Sequence, residues 1–194
     1  MSDLKDKDSL FHLLYTKAFR KSATAEFKLT SGQTSHFYVD CKEVSLTAYG
    51  AFLIGEEIFN RIKSLPVEGV GGMTLGADPI ATSVSVMSHI KQKPINAFIV
   101  RKEQKQHGSG KQIEGVLSAG ANLVVVEDVV TTGGSTLRTI NILRSAGYTI
   151  LKVVALIDRL EGGGEKIMAE GVTFEPLYTM NDFKNADSFL NTRP

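Results

Sequence analysis

The feature that most constrains the fold is Leu123–Val126 running into Glu127 and Asp128, followed by Val129, Val130 and the turn Thr131-Thr132-Gly133-Gly134-Ser135. A short apolar run bounded by turn residues is the pattern of a strand buried on both faces, which needs neighbouring strands and covering helices. Residues from about 134 to 146 then show helical spacing. A strand, a small-residue turn and a helix start place backbone N–H groups and the positive end of a helix dipole together, where a phosphate is held well. Adjacent carboxylates at the strand end can accept hydrogen bonds from vicinal sugar hydroxyls. Together these features point to a sugar phosphate. A plain capped helix behind two exposed acids explains the glycines but not the buried run, the acids and the hydroxyls at once. No Gly-Lys-Ser/Thr stands at Walker A spacing, and no Gly-x-Gly-x-x-Gly follows a strand, which sets aside a generic dinucleotide-binding unit.

The pattern around this segment is alternating. Residues about 46–64 read as a helix with Leu53, Ile54, Ile58, Phe59 and Ile62 on one face, ended by Pro66. Val67–Gly72 and Asn96–Val100 read as strands, with a helix from about Pro79 to Ile90 between them. Ile150–Ile157 is a second continuous apolar strand, and Thr173–Tyr178 and residues about 181–190 give a last strand and helix. Strands alternating with helices predict an α/β fold, a parallel sheet flanked by helices. Ahead of it, Leu10, Phe11, Leu13, Leu14, Ala18 and Phe19 predict a helix over about 8–20, capped by Asp8 or Ser9. Ala25–Leu29 and His36–Asp40 read as strands that look like a hairpin about the polar turn Thr30–Ser35. A chain of 194 residues suits one domain, 1–194, with a small unit over about 1–45 plus the C-terminal segment, and a core over about 46–160.

Ligands of such sheets bind at the carboxyl ends of the strands. Three further segments occupy those ends. Gly71-Gly72-Met73-Thr74-Leu75-Gly76-Ala77-Asp78-Pro79 is a glycine-rich turn entering a helix, able to offer donors to a second anion. Arg101, Lys102, Lys105, His107 and Lys111 lie in a long polar segment that reads either as a solvated loop or as an anion clamp closing over a polyanion. Asp158 is followed by Arg159, which either pairs internally with Asp158 or Glu161 or holds a substrate carboxylate through a bidentate contact.

A net charge of +1 gives no global field for nucleic acid, so anion sites must come from local clustering. The single cysteine, Cys41, excludes an internal disulfide and a cysteine-based zinc site and suits a reducing compartment. Met1–Asp6 is charged with no apolar h-region, and no apolar run approaches membrane-spanning length, so a cytoplasmic protein with no membrane or nucleic-acid partner is expected.

The segment 123–136 resembles the ribose-phosphate signature of the type I phosphoribosyltransferases. Over nearly its full length the chain is similar to the orotate phosphoribosyltransferase branch. Phe27–Ser35 resembles the hood over that family's base site, Arg101–Glu103 through His107-Gly108 its mobile loop, and Ile157-Asp158-Arg159 its orotate-contacting strand end. Glu-Asp at 127–128 also favours this branch over purine relatives. The resemblance implies a type I phosphoribosyltransferase-like parallel sheet with a small N-terminal hood. It implies Mg²⁺-dependent transfer of a phosphoribosyl group from 5-phosphoribosyl 1-diphosphate (PRPP) to orotate, in a homodimer whose loop reaches the neighbouring site. By position, PRPP would be bound by Arg101, Lys102, Lys105, His107, Glu127, Asp128, Val129, Val130, Thr131, Thr132, Gly133, Gly134 and Ser135. Catalysis would fall to Lys102, Lys105 and His107, and orotate to Thr131 and Arg159, with no protein ligand expected for the metal. Two lysines of some family members are missing, at Thr30 and in the turn Met73–Gly76. The alternatives on the same fold are a purine-type phosphoribosyltransferase and a non-catalytic nucleotide-sensing regulator.

Overall fold

Residues 9–24, 27–28, 34–103 and 111–186 are described by a computed structural model of the chain. Residues 9–18 form helix α1, whose second half, Leu14–Ala18, is wound as a π-helix. Short strands follow: β1 (Phe19–Lys21), β2 (Phe27–Lys28), β3 (Thr34–Ser35) and β4 (Phe37–Val39). Next come helices α2 (Lys42–Ser45) and α3 (Ala48–Ile62), strand β5 (Gly69–Met73), helix α4 (Ala77–Ile90), and strands β6 (Asn96–Val100) and β7 (Ile113–Gly115). The chain continues through β8 (Asn122–Val130), α5 (Gly134–Ser145), β9 (Thr149–Asp158), α6 (Gly163–Ala169), β10 (Thr173–Thr179) and α7 (Met180–Lys184).

Six strands form the central sheet in the order β10-β9-β8-β5-β6-β7. All pairings are parallel except β6 with β7, an antiparallel edge. The two long apolar runs are its middle. Successive side chains of a strand leave opposite faces, and here that divides the core into two layers. Val124, Val126, Val154 and Leu156 enter one layer, with Ile54 and Ile58 of α3 and Ile80 and Val84 of α4. Leu123, Val125, Val153 and Ala155 enter the other, with Ile140 and Leu143 of α5 and Ile167 of α6. Burying a side chain of this size contributes about 1.5–3 kcal/mol, so an unbroken apolar run is stable only where both faces are covered. The start of α3 is fixed by Thr47, which sits in extended backbone and accepts a 3.1 Å hydrogen bond from the Gly50 amide.

The structure corrects several local expectations. The first helix stops at Ala18, and Phe19–Lys21 is a strand paired antiparallel with Phe37–Val39. The hairpin joins Phe27–Lys28 to Thr34–Ser35 instead, so the strand at 36–40 partners the residues expected to end the helix. Aromatic packing decides this: Phe19 stacks on Phe37 at 5.8 Å and on Tyr15 at 5.6 Å. Asp8, Thr30 and Gln33 lie outside the described residues. Two short helices, α2 and α6, were not expected. The polar stretch 102–115 ends in a strand, β7, and β8 runs on through the two acids to Val130. The segment after residue 160, grouped with the small N-terminal unit, is divided. β10 extends the central sheet, whereas Phe183 of α7 packs on Phe11 and Phe19 of the N-terminal unit at 5.1 and 5.3 Å.

Candidate active site

The parallel ladder brings the carboxyl ends of β5, β6, β8 and β9 to one edge. On β8 the Glu127 carboxylate is buried and held by the first turn of α5. Its Oε2 accepts hydrogen bonds from Ser135 Oγ at 2.8 Å and Thr136 Oγ1 at 3.2 Å. Burial, and then the neighbouring Asp128 carboxylate, pushes the Glu127 carboxyl up to about 8, against the pull of the two hydroxyls. Asp128 is half-buried and is approached by the turn between β5 and α4. A Cβ on Gly76 would lie 2.6 Å from the Asp128 carboxylate, so a larger residue there would push that carboxylate aside. Thr74 Oγ1 donates to Asp78 Oδ2 at 2.7 Å within the same turn.

The turn after Asp128 is shaped by glycines. Gly133 has φ +80°, in the left-handed region that favours glycine, and it begins α5 without a side-chain cap. The first-turn amides of this helix are therefore open to an external acceptor. The turn leans on the start of α6. A Cβ on Gly163 would lie 2.5 Å from the Thr131 carbonyl oxygen and 2.8 Å from the Gly133 nitrogen. Thr131, Thr132, Gly134 and Ser135 are half-buried or exposed, Gly133 is buried, and Val129 and Val130 complete the strand beneath them.

Arg159 and Thr131 come together because β8 and β9 pair to their ends. The Arg159 amide donates to the Val130 carbonyl at 2.9 Å. The Arg159 guanidinium is buried and bonded to Glu161 Oε1 at 2.7 Å, one of the two internal partners expected from the sequence. It also reaches Ser35 Oγ at 3.2 Å and the Phe37 carbonyl at 3.4 Å in the N-terminal unit. At the end of β6, Arg101 Nε meets Glu114 Oε1 at 3.0 Å. Lys102 is exposed, and its carbonyl accepts from the Arg138 guanidinium of α5. Lys105 and His107 lie outside the described residues. Cys41 is buried, its thiol donates to the Asp128 carbonyl at 3.8 Å, and burial pushes that thiol well above its usual range, which makes it a core residue.

Gly163, and the contact of Ser35 with Arg159, were not singled out from the sequence. The run Gly162-Gly163-Gly164 was the available signal for the first, since three glycines at a helix start mark close backbone approach. Nothing local in the sequence pairs Ser35 with Arg159.

An uncapped helix start, acids on the strand before it and a buried arginine on the next strand end meet at one edge of an α/β sheet, an arrangement able to hold a sugar phosphate. The model of the phosphoribosyl transferase domain matches residues 75–187. The chain is 40% identical over 175 residues to orotate phosphoribosyltransferase of Aquifex aeolicus, covering 90% of this chain and 94% of that one. It is 44% identical over 176 residues to the enzyme of Synechocystis sp., covering 90% and 87%. The crystal structure of Mycobacterium tuberculosis orotate phosphoribosyltransferase in complex with PRPP superposes with a TM-score of 0.76 at 31% identity, covering 92% of this chain and 99% of that one. The chain belongs to the orotate phosphoribosyltransferase family.

Proposed function

We propose that this protein transfers the 5-phosphoribosyl group of PRPP to N1 of orotate, forming orotidine 5′-monophosphate and diphosphate in pyrimidine biosynthesis. The observation that carries this reading is the Glu127–Ser135 segment, whose acids and helix start share one sheet edge with Arg159 in a chain of this family. The turn 131–135 and the start of α5 hold the 5′-phosphate. Glu127 and Asp128 hold the ribose hydroxyls, and Thr131 and Arg159 hold the orotate. N1 bonds to C1 of the ribose as the C1–O bond to diphosphate breaks; the leaving group takes that electron pair, and the proton on N1 is released to solvent. No covalent enzyme intermediate is needed, so catalysis is positioning plus stabilisation of the leaving charge. Arg101, Lys102, Lys105 and His107 carry the second task by the family resemblance.

Among the described residues no group of three His, Cys, Asp or Glu side chains is placed to hold a metal. The donor chemistry suited to Mg²⁺ here is that of the diphosphate and ribose oxygens, with Glu127 and Asp128 fixing those hydroxyls. Bound in that way, Mg²⁺ supplies positive charge to the departing diphosphate.

The working unit in this reading is a cytoplasmic homodimer in which Lys102 serves the neighbouring site. Two observations support a self-associating face. α3 and α4 leave Tyr49, Phe52, Val86 and Ile90 exposed, and Leu75 is exposed in the turn beside Asp128. Among the described residues no helix is long and apolar enough to cross a membrane.

Product analysis tests the reaction. Purified protein with orotate, PRPP and Mg²⁺ should release orotidine 5′-monophosphate and diphosphate in equal amounts, and EDTA should stop both. Release of diphosphate without the nucleotide would refute the transfer. Asp128→Asn keeps the size of the side chain and removes its charge. By calorimetry it should weaken PRPP binding about tenfold or more, as losing a charged hydrogen-bond acceptor does. An unchanged affinity would remove Asp128 from the ribose site.

A further inference from the structure

We infer that Glu161 and Ser35 are positioning residues for Arg159, and that they tie the N-terminal unit to the group that reads the carboxylate of the base. This rests on the orotate reading above. A guanidinium carries five N–H donors in a fixed plane. Among the described residues three of them are engaged inside the protein: Nε by Glu161 Oε1 at 2.7 Å, Nη1 by the Phe37 carbonyl at 3.4 Å, and Nη2 by Ser35 Oγ at 3.2 Å. One N–H is left on each terminal nitrogen, and these are the donors that remain for a carboxylate. The side chain is only 6% exposed, so its orientation is set by these partners.

The backbone between the two charged residues is built for this pairing. Leu160 has φ +59°, a conformation a leucine holds only where its surroundings enforce it. Its amide donates to Asp158 Oδ1 at 2.9 Å. The reversal at Leu160 brings the side chains at 159 and 161 together. Glu161 also balances a buried cation that would otherwise be uncompensated.

On the other side, Ser35 lies in β3 and Phe37 in β4, more than a hundred residues away in sequence. Ser35 Oγ also accepts from the Phe37 amide at 3.1 Å. The Phe37 ring is stacked on Phe19, and the Lys184 ammonium lies 5.2 Å from its centroid. The strands that would cover the base thus rest on the same guanidinium that would bind its carboxylate, so base recognition and the placement of these strands are coupled.

Steady-state kinetics and amide hydrogen exchange test this. Glu161→Ala should raise KM for orotate about tenfold, with KM for PRPP unchanged, because the guanidinium loses its orientation. Glu161→Gln keeps an acceptor for Nε and should recover most of that loss. Ser35→Ala should raise KM for orotate and, in the free protein, speed exchange of the 36–39 amides. The inference is overturned if Glu161→Ala leaves KM for orotate unchanged, if it raises both KM values together, or if the glutamine variant is as impaired as the alanine one. Wild-type protein that consumes no orotate would refute the functional reading instead. In that case exchange at 36–39 in Ser35→Ala still decides the tie, and unchanged exchange breaks it.

Discussion

Gly163→Ala should lower kcat/KM for PRPP by about 100-fold or more while leaving the circular dichroism of the fold in place, because it displaces backbone at the proposed phosphate cradle. Gly163 has no unusual backbone angle to maintain. What the substitution meets is the cradle itself. The new Cβ would fall 2.5 Å from the Thr131 carbonyl oxygen and 2.8 Å from the Gly133 nitrogen. Neither atom is the movable end of a side chain, so the turn 131–133 or the start of α6 must shift. A shift of about 1 Å at a group that positions substrate is enough to cost two orders of magnitude in rate. The effect should fall on PRPP affinity as well as on turnover. Wild-type kinetics in a folded Gly163→Ala protein would show that the cradle is not braced by α6.

The second large effect is on stability, and it belongs to Glu127. In an unfolded chain this carboxyl titrates near 4.5, whereas burial and Asp128 raise it to about 8 in the folded protein. Below pH 4.5 the group is neutral in both states and its contribution is fully present. As pH rises toward 8 the unfolded chain releases a proton that the folded protein keeps, so the folded state loses ground until the folded carboxyl also ionises. At about 1.4 kcal/mol per pH unit, the loss across this window reaches a few kcal/mol. Glu127→Gln keeps an acceptor for Ser135 and Thr136 but cannot ionise. In the ligand-free protein its Tm should therefore exceed that of the wild type at pH 8.5 by roughly 5–10 °C, with the gap closing near pH 5. Parallel Tm profiles for the two proteins would show that Glu127 does not titrate in this window.

The sheet was legible because its middle strands are continuous apolar runs. Leu123–Val126 and Ile150–Ile157 can be stable only when covered on both faces, and the helices between strands carry apolar stripes. The strand-to-helix segment 123–136 was legible for the same reason, with its acids and glycines at fixed offsets from a recognisable strand. Short elements were less accessible. Phe19–Lys21 looks helical by spacing, and its pairing with Phe37–Val39 is decided by ring stacking between residues 18 apart. β7 is a polar edge strand with one covered face, so it carries no strong period. Arg159 was visible as a cation at a strand end, with Glu161 as one of its possible partners. Its contacts with Ser35 and Phe37 were not visible, because they arise only when the chain folds back over the sheet. Gly76 and Gly163 act through the space they leave open, which a sequence shows only as small residues.

The most direct test of the central claim compares bases under one set of conditions. With PRPP and Mg²⁺, orotate, adenine, hypoxanthine and uracil are supplied separately and the kcat/KM of each is measured. Orotate should be the preferred substrate, with uracil, which lacks the carboxylate that Arg159 would hold, well below it. Consumption of a purine in preference to orotate, or of uracil as readily as orotate, would contradict the account.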